Sequence, residues 1–247
     1  MKTKQPHPQR TDSLNIVARD GSGSFNAYLA LPPSGKGPGI VIAQEIFGVN
    51  DRIRALADQF AAEGYVVLVP DLFWRMEPGI QLGYTPEDWQ RAFSLSAQFD
   101  IHKGLEDIQS ALSALRAMPE STGEAGVVGF CLGGKMAYLS ASRTDADVAV
   151  AYYGVGIEGF LEDANLAQCD VVLHIAGNDK YCPPEAQHKI INALGHRDGF
   201  EIFVYDGIDH AFARPHGEHY NEAAAALAKQ RTLAALSRTI GHTAGHG

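Results

Sequence analysis

A chain of 247 residues with 45% hydrophobic side chains carries enough apolar mass for one large core, and a net charge of −9 without basic runs argues against nucleic acid or an anionic membrane as partner. The longest apolar run, residues 148–157, falls far short of the ~18 residues of a membrane span, and residues 1–10 lack an apolar core segment, so a cytoplasmic location is expected. The cysteines, Cys131, Cys169 and Cys182, lack disulfide or zinc spacing, which predicts reduced thiols and no metal or other cofactor.

In chain order, residues 1–10 read as a frayed tail, a single domain is expected over 11–240, and residues 241–247 read as a second tail. Residues 14–31 alternate apolar and polar around Asp20-Gly21-Ser22-Gly23, the pattern of an antiparallel hairpin at a sheet edge. Continuous apolar runs at 39–43, 65–69, 126–130, 148–153, 171–176 and 200–205 predict strands buried on both faces, as in a parallel sheet covered by helices. Asn50 can cap a helix carrying Ile53, Leu56, Ala57 and Phe60, which Gly64 ends. Ile101, Leu105, Ile108, Leu112 and Leu115 form a second helical stripe, and 135–141, 185–194 and 222–240 are further helical stretches. This alternation predicts an α/β fold with a mostly parallel central sheet and helices on both faces. Residues 72–98, rich in Trp, Arg, Pro and Gly, make a longer excursion than most connections, and such excursions at strand carboxyl ends shape pockets.

Chemistry concentrates at Gly129-Phe130-Cys131-Leu132-Gly133-Gly134, where an apolar run ends in Gly-x-Cys-x-Gly and a helical stretch follows. This is the strand, sharp turn and helix of a nucleophile elbow with cysteine at its tip, and the flanking positions must be small where strand and helix nearly collide. A nucleophile needs a base, and the base an orienting acid. Asp179 follows the run 171–176 and His210 follows 200–205, which gives the order nucleophile, acid, base of an α/β-hydrolase. Asp206 and Asp209 compete for the acid role but lie too close in sequence to His210 to reach the far side of its ring comfortably. His174 sits within an apolar strand and reads as a core residue. Glu45 is carried to the same sheet edge as the elbow, where a carboxylate bears on the ionisation of a neighbouring thiol. The backbone N–H groups of Ile46 and Leu132 can form an oxyanion hole in that geometry.

The segments Gln44-Glu45-Ile46-Phe47-Gly48-Val49-Asn50, Pro70-Asp71-Leu72, Gly129-Phe130-Cys131-Leu132-Gly133-Gly134, Tyr152-Tyr153-Gly154 and His210-Ala211-Phe212-Ala213-Arg214 resemble the dienelactone hydrolase, or carboxymethylenebutenolidase, family from about Leu14 to Leu236. The resemblance implies an α/β-hydrolase that opens an unsaturated lactone bearing a carboxylate, with Cys131, Asp179 and His210 as triad. It implies that Glu45 interacts with the thiol and governs its ionisation when substrate binds, and that Arg214 helps hold the substrate carboxylate. Trp89 and Phe93 fall where the family has a second carboxylate-binding arginine and an aromatic residue, and Arg91 lies two residues out of register. The expected activity is hydrolysis of a small lactone or ester, carboxylate-bearing, through a thioester acyl-enzyme, by a monomer or homodimer. The alternatives are a neutral esterase on the same fold and a thiol redox protein.

Overall fold

A computed structural model describes residues 9–241, and residues 1–8 and 242–247 of the two expected tails lie outside it. The strands are β1 (Gln9–Val17), β2 (Ser24–Leu31), β3 (Gly37–Ala43), β4 (Val66–Pro70), β5 (Ser121–Phe130), β6 (Val148–Tyr152), β7 (Asp170–Ala176) and β8 (Phe200–Tyr205). They form one eight-stranded sheet in the order β1-β2-β4-β3-β5-β6-β7-β8. Only the β1–β2 and β2–β4 pairs are antiparallel; β3 to β8 run parallel. The hairpin thus occupies one edge, as its alternating pattern predicts, although its first strand begins at Gln9, inside the stretch expected as tail.

The parallel strands read as unbroken apolar runs because successive side chains enter opposite cores. Ile40, Ile42, Val128 and Val150 pack with Ile53, Leu56 and Phe60 of α1 (Asp51–Ala62) and Leu236 of α6 (Glu222–Ile240). Val41, Ala43, Val127 and Ala149 face the other way, onto Ile108 and Leu112 of α3 (Ile101–Ala117), Met136 and Leu139 of α4 (Leu132–Arg143) and Ile190 of α5 (Pro184–Leu194). Asn50 caps α1 by accepting from the Arg52 and Ile53 amides, satisfying N–H groups that the first helical turn leaves unpaired.

The excursion over 72–98 contains α2 (Pro86–Gln98), a helix the apolar pattern does not announce because only Ala92 and Leu95 are buried on it. Its signal is the start: Thr85 and Asp88 close a reciprocal capping box with Pro86 in the first turn. The excursion is pinned to the loop after β3 by Leu82 N–H to Phe47 O (2.9 Å), Val49 N–H to Ile80 O (3.2 Å) and Asn50 Nδ2 to Leu82 O (2.9 Å). Asp71 tightens its first turn by accepting from the Phe73 and Gly79 amides at 3.0 and 2.7 Å. Those contacts carry α2 over the carboxyl ends of β3 and β5.

Candidate active site

The turn from β5 into α4 holds Cys131 at φ 57° and ψ −114°, a conformation a non-glycine residue adopts only when its surroundings impose it. The imposition is steric. A Cβ on Gly129 would stand 1.8 Å from the Gly133 carbonyl oxygen, and one on Gly133 would stand 2.0 Å from that of Ala43. Both obstacles are backbone, so neither can yield without moving α4 or β3. Gly133→Ala is expected to lower unfolding free energy by about 3 kcal/mol. A denaturant midpoint equal to that of the parent would contradict this packing.

His210 Nδ1 donates to Asp179 Oδ2 across 2.6 Å, with both side chains almost fully buried. Asp179 also accepts from the Tyr181 amide at 2.8 Å, which fixes its carboxylate. On its other side His210 shares a cavity wall with Cys131, close enough for the thiol's charge to act on the imidazole. Burial works against the imidazolium, but the neighbouring Cys131 charge and the Asp179 bond outweigh it, so His210 holds its proton well above the ordinary imidazole range. Asp209, one competing acid, instead accepts from Asn178 Nδ2 at 2.6 Å, and Asp206 is exposed. Tyr153 and Tyr181 set their rings edge-on to His210 with centroids 5.0 and 4.9 Å away. Among the described residues the non-glycine residues with positive φ are Cys131, Tyr153, Ala211 and His216, and the first three meet here. His174 is a core residue, bonded through Nδ1 to the Tyr205 hydroxyl and through Nε2 to Thr232, with its ring kept neutral by burial.

Cys131 opens onto a cavity of about 100 Å³ shared with Ile46, Leu132, Lys135 and the aromatic rings of Phe47, Trp89, Phe93 and Tyr181. Among the described residues neither the Ile46 nor the Leu132 amide N–H donates a hydrogen bond, and both residues line this cavity. The outer mouth widens to about 770 Å³ between α2 and the loops that carry Asp179 and His210. Trp89 stands edge-on to Phe47 at 4.8 Å and lies 5.5 Å from Phe93, so α2 supplies one aromatic wall of the pocket. Cys169 and Cys182 take no part: burial pushes both thiols up to about 12.

Of the two arginines expected to contact substrate, Arg214 lines both parts of the pocket and Arg91 lines neither. Arg91 lies half-exposed on α2, outside the cavity lining, and pairs with Glu77. Arg214 is buried, not a surface charge, and its guanidinium grips Glu45 through Nε to Oε2 (2.7 Å) and Nη2 to Oε1 (3.1 Å) while lying over the Phe47 and Tyr84 rings. Glu45 is therefore engaged by Arg214, and no hydrogen bond joins it to Cys131 among the described residues. Burial disfavours the Arg214 cation, yet the Glu45 charge keeps it above its ordinary value. Removing one partner strands a buried charge: Arg214→Met is expected to cost about 3 kcal/mol of stability, partly recovered in the double variant with Glu45→Gln. Chemical denaturation of the single and double variants measures this, and two independent, additive losses would show that the pair is not coupled.

The dienelactone hydrolase family model matches residues 25–240. A protein of Azospirillum brasilense that carries the name carboxymethylenebutenolidase provisionally is 40% identical over 233 residues, 92% of this chain and 99% of its own length. Carboxymethylenebutenolidase of Pseudomonas sp. strain P51 is 37% identical, covering 92% of this chain and 95% of that protein. A crystal structure of a protein from Klebsiella pneumoniae subsp. pneumoniae, provisionally named dienelactone hydrolase, superimposes with a TM-score of 0.81 at 26% identity, over 94% of this chain and 100% of the other.

Proposed function

This chain belongs to the dienelactone hydrolase family, and on that premise we propose that it hydrolyses a small lactone or ester through Cys131, His210 and Asp179. Asp179 accepts the Nδ1–H bond of His210 and so presents the opposite ring nitrogen to the thiol. The proton that His210 holds as imidazolium is the one taken from the thiol, and the thiolate left beside it attacks the ester carbonyl carbon. The carbonyl π electrons move to oxygen, and the free N–H groups of Ile46 and Leu132 receive that charge. Collapse of the tetrahedral species re-forms the carbonyl, breaks the bond to the leaving oxygen and leaves a thioester on Cys131. The imidazolium gives its proton to that oxygen. In a lactone the leaving alcohol stays tethered to the acyl group. His210, now neutral, then deprotonates a water that attacks the thioester, and collapse of that adduct expels the Cys131 thiolate beside the imidazolium as the carboxylic acid departs.

The observation that carries this reading is the unbroken line from buried Asp179 through His210 to Cys131, facing a cavity with two unengaged amides. The test is a panel of dienelactones, simple lactones and aryl esters given to the purified protein before and after iodoacetamide treatment. Turnover that alkylation of Cys131 extinguishes is expected. Turnover undiminished by complete alkylation would contradict the proposal. A neutral ester as substrate gains support from one feature, the Glu45 carboxylate, which cancels the charge of Arg214 in the resting site.

A further inference from the structure

If Cys131 acts as proposed above, its thiolate has a second positive neighbour besides the His210 imidazolium. Lys135 lies four residues past Cys131 on α4, the spacing that returns a side chain to the same helix face. It lines the inner cavity together with Cys131 and His210. Its half-buried stem runs along Gly156, where Cδ and Nζ both stand 3.8 Å from the position a Cβ would take. Among the described residues its ammonium makes no hydrogen bond and no ion pair, and two negative charges, those of Cys131 and Glu158, reach it through space. Burial weakens its hold on the proton, and both charges oppose that. Glu158, in the single-turn helix Ile157–Gly159, has a buried Oε2 with no hydrogen-bond partner among the described residues.

The attraction is mutual: what the Cys131 charge does for the Lys135 proton, the Lys135 charge does for the thiolate. The other ionisable groups about the thiol come from four loops. His210, after β8, is anchored by Asp179, after β7. Tyr181, also after β7, sets its ring edge-on to His210, and Tyr153, after β6, is kept protonated by burial. Glu45, after β3, is matched by Arg214, which lines the same cavity. Among the described residues, Lys135 is thus the cavity cation that no carboxylate contacts. We infer that Lys135 is a positioning residue for the nucleophile: with His210, its ammonium keeps Cys131 as thiolate before substrate arrives, and Glu158 sets how much of that charge the thiolate receives. The same ammonium favours departure of the thiolate when the thioester is hydrolysed.

The test follows alkylation of Cys131 by iodoacetamide, a neutral reagent, as a function of pH, with peptide mass spectrometry locating the adduct. In Lys135→Met the rise of the rate with pH should move to higher pH by about one unit, since the thiolate has lost a favourable charge. At a fixed pH below the rise, that is a roughly tenfold slower reaction. Glu158→Gln should move the rise to lower pH, and Lys135→Arg should keep it near its parental position. Opposite shifts are what a charge effect demands and what loosened packing does not give. A rise at the parental pH in Lys135→Met overturns the proposal, as do shifts of the same sign in Lys135→Met and Glu158→Gln. Should Lys135→Met fail to fold, Glu158→Gln decides alone, and an unmoved rise overturns the proposal. The acid limb of kcat/KM for a neutral aryl ester should move with the alkylation profile in each variant. Opposite alkylation shifts without hydrolysis of any ester would remove the assigned reaction and leave the pairing of Lys135 with the thiolate standing.

Discussion

Cys131→Ala is expected to cut kcat for lactone or ester hydrolysis by at least about 10⁴-fold, with circular dichroism and melting temperature close to those of the parent. The size of the loss follows from where the thiol sits. It is the one group at the tip of the strained turn, within reach of His210 and facing the amides of Ile46 and Leu132. A methyl group there leaves the oxyanion hole intact but gives the carbonyl no nucleophile. Cys169→Ala and Cys182→Ala should retain most activity, because those thiols are held protonated by burial and line neither part of the catalytic pocket. Steady-state kinetics on the three variants checks the contrast. Comparable losses in all three would mean that thiol chemistry is not localised at the elbow.

Asp179→Asn should lower kcat/KM by roughly 10²- to 10⁴-fold, the range spanned by positioned acid–base groups. The asparagine amide can fill the same space, but it can present its NH₂ group to His210 Nδ1 and favour the wrong tautomer. The pH profile gives a second readout. A group whose proton is held above its ordinary range stays charged at neutral pH and loses the charge only in the alkaline region. Cys131 and Asp179 both hold that proton on His210, against the effect of burial. The alkaline limb of kcat/KM, where imidazolium can no longer protonate the leaving oxygen, should therefore move to lower pH in Asp179→Asn. An unmoved limb with near-parental rates would pass the acid's role to another residue. Asp209→Asn is the comparison, and since Asp209 bonds Asn178 and not His210 it should change little.

The sequence reveals the sheet because each parallel strand must be apolar on both faces, and runs such as Ile40 to Ala43 carry that requirement without interruption. The elbow is legible for a similar reason: Gly129 and Gly133 are demanded by backbone that comes too close for any side chain. Asp179 and His210 are legible through their place just beyond strand ends. Helix α2 is harder, since it buries little and declares itself only through Thr85, Pro86 and Asp88. The grip of Arg214 on Glu45 joins residues 169 apart and leaves no local pattern; each looks like a pocket charge until the fold brings them together. Lys135 shows the opposite case. Its spacing from Cys131 is visible in the sequence, but only the fold reveals an ammonium that faces the cavity and has no partner among the described residues.

The thioester on Cys131 is the species that separates covalent catalysis by this thiol from every other route to the same products. Acid-quenching the protein in the first moments of turnover of an aryl ester, followed by peptide mass spectrometry, reads it directly. One acyl group on the peptide containing Cys131, enriched in Asp179→Asn where deacylation is slowed, is the predicted result. Full turnover with Cys131 unmodified at every quench time, or with the acyl group on another side chain, would contradict it.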